Sequence, residues 1–121
     1  MPDVHFRYSP RLRAVIADGK SFQADLAGVV AGEMDCLDDE GNLITHDPKT
    51  HIKFPVFEVF TGAFTDLVGM DILAYDYPNR LVDMPRRLKR ITAWVRDELD
   101  LGPNTVSANF IPIPVGGWVK S

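Results

Sequence analysis

The chain has 121 residues, with 13 Lys+Arg against 17 Asp+Glu, a formal net charge of −4, three histidines and one cysteine. Those figures fit one compact domain and argue against a nucleic-acid or anionic-membrane binder, which would carry a basic surplus. The lone Cys36 excludes an intrachain disulfide, no apolar run reaches the roughly 20 residues of a membrane span, and His5 and Arg7 interrupt any leader-like segment. The cytoplasm is the expected location.

In chain order, Asp3–Tyr8 alternates Val4, Phe6 and Tyr8 with Asp3, His5 and Arg7, which predicts a first strand with one apolar face. Pro2 stands directly before it. If the initiator methionine is removed, Pro2 carries a secondary amine. An ordinary α-amino group titrates at roughly 7.7–8.0, and apolar burial lowers that further. Such an amine can act as a general base or as a nucleophile towards a carbonyl. With Met1 retained, the same nitrogen is an amide with no basicity.

A helix is predicted from about Ser21 to Cys36, with Phe22, Leu26, Val29, Val30 and Met34 on one stripe, Ser21 as N-cap and Asp25 near the positive end of the dipole. Gly28 and Gly32 either weaken it or permit close packing on a sheet. Gly19-Lys20-Ser21 sets a cation at its entrance, where anions are welcome. Ala14–Ser21 loosely fits a phosphate loop, yet Val15 and Ile16 occupy positions that need small residues. The nucleotide reading is rejected. Residues 37–50 form a polar excursion around Asp38-Asp39-Glu40-Gly41-Asn42, whose carboxylates read as solvated.

The second strand is His51–Phe60, where Pro55 implies an edge or a bend. The third is Met70–Tyr77, stopped by Pro78-Asn79. The second helix is capped by Asp83, holds Pro85 in its first turn, buries Met84, Leu88, Ile91, Val95 and Leu99, and ends at Gly102-Pro103. Arg86, Arg87, Lys89 and Arg90 read as its solvated outer face. The last strand, Thr105–Ile113, sets Val106, Ala108 and Phe110 against Ser107, Asn109 and Ile111. Arg80 follows the third strand at a place where ligands gather, or else forms a salt bridge to Asp76 or Asp83. His46 and His51 read as solvated loop histidines with His5 far away, so neither a metal nor a cofactor is expected.

The order is thus β-α-β twice, repeat one about 2–60 and repeat two about 70–121, in a single domain. It predicts an α+β fold: a four-stranded mixed sheet with two helices on one face. The other face, with Asn109, Tyr75 and His5 or their neighbours, needs a cover, and another subunit is the obvious one. A ferredoxin-like α/β dimer shares the element order; its strands pair antiparallel and Pro2 is irrelevant there.

Within this doubled pattern, Pro2-Asp3-Val4-His5-Phe6, Gly19-Lys20-Ser21 and Phe110-Ile111-Pro112-Ile113 resemble the tautomerase superfamily. Gly116-Gly117-Trp118 is similar to the Gly-Trp near the end of macrophage migration inhibitory factor, and Phe54–Val59 to uncharacterised bacterial members. The resemblance implies a homotrimer with active sites at subunit boundaries around each proline, and a small carboxylic-acid substrate. It also implies keto–enol isomerase chemistry with Pro2 as catalytic base. Lys20 matches the Gly-Arg-Ser position of 4-oxalocrotonate tautomerase, as a lysine. Arg80 matches the arginines after the third strand of dehalogenase and decarboxylase relatives, and Asn109 an asparagine on the last strand of the inhibitory factor. Lys20, Arg80 and Asn109 are therefore the expected substrate-binding residues, with Arg7, Arg11 and Arg13 less well placed. Two departures stand out: Arg11–Asp18 is an insertion, and no clear water-activating glutamate accompanies Arg80. The alternatives are a non-catalytic oligomeric binding or structural protein of this fold that keeps Met1, and a decarboxylase or hydratase of three-carbon acids.

Overall fold

The computed structural model describes residues 3–16, 20–38, 40–47, 53–59 and 67–114, with backbone alone for Lys20 and for 53–59. Its elements are β1 (Asp3–Tyr8), a 3-10 turn (Pro10–Leu12), α1 (Arg13–Ile16), α2 (Lys20–Met34), β2 (Cys36–Leu37), β3 (Leu43–Ile44) and β4 (Lys53–Val59). They continue as β5 (Val68–Tyr75), α3 (Pro78–Leu81), α4 (Met84–Glu98) and β6 (Val106–Ile113).

The main sheet has the order β4-β1-β5-β6. β1 is parallel to β4 across α2, β5 is parallel to β6 across α4, and the two halves meet where β1 pairs antiparallel with β5. This is the doubled β-α-β fold expected from the sequence. The parallel ladders exclude the ferredoxin-like alternative, whose neighbouring strands are antiparallel.

One face of the sheet carries the core. Val4, Phe6 and Tyr8 of β1 and Val68, Met70 and Ile72 of β5 are buried against Phe22, Leu26 and Val30 of α2 and Ile91 and Val95 of α4. The alternation in β1 is the one its sequence requires, since successive side chains point to opposite faces. Phe22 joins the layers: its ring meets Phe6 edge-on at 5.8 Å and stacks on Trp94 of α4 at 5.7 Å. Opposite lies an open face, where His5 and Asn109 are exposed and Ile111 is 42% exposed.

Local departures have local causes. Between Asp3 and His5 the β1–β4 register slips, β1 advancing two residues while β4 advances from Lys53 to Val56. The extra residue falls at Phe54-Pro55, so the proline sits in a bulge on an edge strand and no ladder bond is asked of it. α2 opens at Lys20, which places Ser21 inside the first turn and not at the N-cap. Asp83 does occupy the N-cap of α4 but makes no capping bond. Its carboxylate accepts from Arg87 Nε at 2.7 Å instead. α4 stops before Gly102: Asp100 takes φ 51°, and Leu101 N–H reaches back to the Arg96 carbonyl at 2.9 Å. That is the left-handed C-cap with aspartate where glycine is usual.

The polar excursion holds a small hairpin, β2 with β3. Asp38 Oδ1 accepts the N–H groups of Glu40 at 2.9 Å and Asn42 at 2.8 Å, and Gly41 supplies the φ of 83° that the turn needs. These bonds hold the Asp38 pKa below its ordinary value. α3 is a further turn of helix that the sequence pattern did not suggest. Among the described residues no helix is long and apolar enough to cross a membrane.

Gly28 and Gly32 lie on the exposed side of α2, and a Cβ added at either meets nothing within 4 Å. They serve no close approach, so each only lowers helix propensity. Gly28→Ala and Gly32→Ala should each raise unfolding free energy by about 0.5–1 kcal/mol in urea titrations. A loss of stability in either would show that the bare backbone there is used.

Candidate active site at the head of the first strand

Asp3 pairs with Lys53 of β4 on one side and Leu73 of β5 on the other, so β5 runs on past the described start of β1 through Ala74 and Tyr75. Pro112 and Ile113 of β6 pair with those two residues. The head of β1 and the carboxyl ends of β5 and β6 therefore share one end of the sheet. Pro2 itself lies outside the described residues, as do Gly19, His51 and Gly116-Gly117-Trp118.

The dominant group at this end is Arg80, only 1% exposed. Its Nη1 donates to the Tyr75 carbonyl at 2.7 Å, while Nε and Nη2 donate to the Met34 carbonyl at 3.0 and 2.8 Å. The guanidinium also lies 5.4 Å from the centre of the Tyr77 ring. Arg87 completes the arrangement from α4, with Nη1 donating to the carbonyls of Glu33 and Asp35. The last carbonyls of a helix have no partner within it, and a cation there also meets the negative end of the dipole. Two arginines thus close the C-terminus of α2. The alternative salt bridge from Arg80 to Asp83 does not form, because Asp83 pairs with Arg87. Arg87 is accordingly turned inward, not out to solvent.

His46 was expected in solvent, yet its side chain is 8% exposed. Nδ1 lies 3.4 Å from Asp35 Oδ1, and Nε2 lies 3.4 Å from Arg80 Nη2. An arginine can only donate, so Nε2 accepts and the ring proton sits on Nδ1, facing the carboxylate. Burial, then the Arg80 charge, pull the His46 pKa below its ordinary 6.5 against the opposing pull of Asp35. Asn79 ties the same region together by donating to the Leu37 carbonyl at 3.0 Å.

Asn109 stands on the open sheet face, level with Asp71 and His5. Its Nδ2 donates to Asp71 Oδ1 at 3.3 Å, while Arg7 Nη1 donates to Asp71 Oδ2 at 2.6 Å. The Arg7 bond in particular holds the Asp71 carboxyl below the usual carboxylate range. Arg7, which the sequence placed poorly, is thus joined to Asn109 through a shared carboxylate.

Lys20 opens α2, and Met34, at the far end of that 15-residue helix, is bonded to Arg80 at the head of the sheet. A helix of that length separates its ends by about 21 Å. Within one chain, then, the Lys20 backbone is at the opposite end of the fold from Arg80. Asn109 lies between, on the other face. The single chain does not bring Lys20, Arg80 and Asn109 together. No group of three or more His, Cys, Asp or Glu side chains is placed to hold a metal among the described residues.

The doubled β-α-β sheet with both helices on one face is the fold that the resemblance to the tautomerase superfamily implied. Among solved structures the chain is similar to N1, described as a member of the cis-3-chloroacrylic acid dehalogenase (cis-CaaD) family. The match has 17% identity and a TM-score of 0.59, covering 98% of this chain and 79% of that one. At that identity the likeness is one of fold. No family model and no curated protein matches the sequence.

Two outcomes follow from the arginine and histidine contacts. Arg80→Ala orphans the Met34 and Tyr75 carbonyls and should lower unfolding free energy by about 3 kcal/mol in urea melts, with Arg80→Lys intermediate because the fork is lost. Wild-type stability in Arg80→Ala would mean those carbonyls are satisfied without it. For His46 the folded pKa is below the unfolded 6.5. Its contribution is therefore complete above about 6.5 and is lost as pH falls through the lower folded value. Melting temperatures of wild type should drop more steeply below pH 6.5 than those of His46→Gln; parallel profiles would contradict the assignment.

Proposed function

We propose that this protein is a homotrimeric keto–enol tautomerase for small carboxylic acids, with the Pro2 amine as its general base. The observation that carries the reading is the doubled β-α-β fold in which β1 begins at Asp3, immediately after Pro2. Its likeness to N1 supports that fold.

In this reading the free amine takes a proton from an enol hydroxyl, or from the carbon beside a carbonyl, and returns it at the other position. Negative charge builds on the conjugated oxygens as the proton leaves. A nearby cation lowers that barrier more than it lowers the energy of the bound acid. Lys20 supplies such a cation from the entrance of α2 of a neighbouring subunit, since its own chain holds it remote from the head of β1. A lysine offers a compact point charge in place of an arginine's two-pronged grip. Asn109 has one amide hydrogen directed to Asp71 and orients the substrate with the other.

Arg80 has the opposite character. A substrate carboxylate would have to displace the Met34 or Tyr75 carbonyl to reach it, so we assign Arg80 to the scaffold that holds the head of the site. The hydratase or dehalogenase reading needs a group to activate water, and no observation favours it over proton transfer.

Mass spectrometry of the native protein should show an N-terminus that begins at Pro2. Pro2→Ala should reduce ketonisation of a model enol acid by at least about 100-fold with an unchanged melting temperature. Retained Met1 would leave the non-catalytic reading in place, and unaltered turnover in Pro2→Ala would show that Pro2 is not the base.

A further inference from the structure

Behind the sheet, where α4 meets the start of β6, lies a recess of about 100 Å³ lined by Lys89, Thr92, Ala93, Arg96, Asn104 and Val106. Val106 pairs with Val68, five residues along β5 from the Leu73 that faces Asp3. At 3.3 Å per residue the recess is about 17 Å from the head of β1, measured along the strand. It is a separate place on the molecule.

Its lining is one-sided in charge. Lys89 and Arg96 stand seven residues apart on α4, which returns them to the same side of the helix two turns on. The other arginines of that helix with a role in packing are paired, Arg87 with Asp83 and Arg90 with Glu33. Lys89 and Arg96 form no ion pair among the described residues. Among the described residues no carboxylate lines the recess, although the chain as a whole carries a net charge of −4. Thr92 commits its hydroxyl hydrogen to the Lys89 carbonyl at 3.0 Å, so it is a wall and not a donor. The carboxamide of Asn104, on a backbone held at φ 59°, adds a neutral donor at the rim.

We infer that this recess is a binding site for a small dianionic oxyanion of the phosphate type. At about 100 Å³ the recess is small beside the 300–1,000 Å³ of common small-molecule sites, which favours a small ligand. Two cations on the lining favour a doubly charged anion over a monocarboxylate, since each can meet one negative charge. The ammonium and the planar guanidinium supply donors to different oxygens of the ion, and the carboxamide a third.

The test uses the full chain and inorganic phosphate, titrated at constant ionic strength with chloride as the balancing ion. Binding is read by calorimetry and by amide shifts of Ala93, Asn104 and Val106. The expected result is saturable binding with shifts centred on those residues. Lys89→Gln and Arg96→Gln should each weaken it at least tenfold, while Arg86→Gln, an exposed cation outside the recess, leaves it unchanged. Shifts spread over all basic residues, equal effects from chloride, or equal weakening by Arg86→Gln would overturn the assignment. The wild-type shift map decides the matter even if a variant fails to fold.

Discussion

Three consecutive carbonyls, those of Glu33, Met34 and Asp35, close the C-terminus of α2, and two arginines from the second half of the chain satisfy them. This is the constraint on which the head of the molecule depends. A buried guanidinium without a carboxylate would ordinarily be costly, since a charge leaves water without compensation. Here the helix end offers concentrated negative potential, and no buried side-chain nitrogen or oxygen among the described residues is left unsatisfied. Arg80 also grips the end of β5 through the Tyr75 carbonyl. One side chain therefore sets the distance between α2 and β5, the strand that runs beside β1. Arg90 adds a bridge from α4 to Glu33, with contacts of 2.8 and 2.9 Å to its two carboxylate oxygens. The two β-α-β units are joined at their helices by these arginines as well as by the apolar layer beneath.

The hairpin depends on the same charge. His46 accepts from Arg80 and faces Asp35, so the polar excursion is anchored to the helix end it follows. The open sheet face follows a different logic. Arg7, Asp71 and Asn109 form a polar row across three strands, beside the exposed Ile111. A sheet face of this kind, with apolar groups around a satisfied polar row, suits coverage by another copy of the chain. The separation of Lys20 from the head of β1 points the same way, because only a second subunit can bring a lysine of that position to a proline-based site. Oligomerisation and site assembly are then one requirement in the proposed enzyme.

Much of the fold was legible in the sequence because it rests on short-range periodicity. The alternation of Val4, Phe6 and Tyr8 and the stripe of Met84, Ile91 and Val95 need only the two repeats of strand and helix. Pro55 announced an irregular edge, and the bulge is there. The helix ends were less legible. Ser21 and Asp83 are good capping types, but the first lies within the helix and the second is drawn off by Arg87 four residues on. Gly102-Pro103 looked like the stop for α4, whereas Asp100 reaches the left-handed conformation first. The candidate site was the least legible part. Nothing local says that Arg80 will meet a carbonyl 46 residues earlier. Nor does anything local say that His46 will be buried between Asp35 and that arginine. Such contacts are decided by which strand lies beside which, and a cation near a strand end reads the same whether it binds substrate or caps a helix.

The central claim is that catalysis needs the proline of one subunit and the lysine of another. Subunit mixing tests it most directly. Pro2→Ala and Lys20→Ala chains would each be assayed alone, then unfolded, mixed and refolded together. The account predicts two nearly inactive homo-oligomers and a mixed population with restored enol ketonisation, since some sites then combine an intact Pro2 with an intact Lys20. A mixture no more active than its separate components would contradict it.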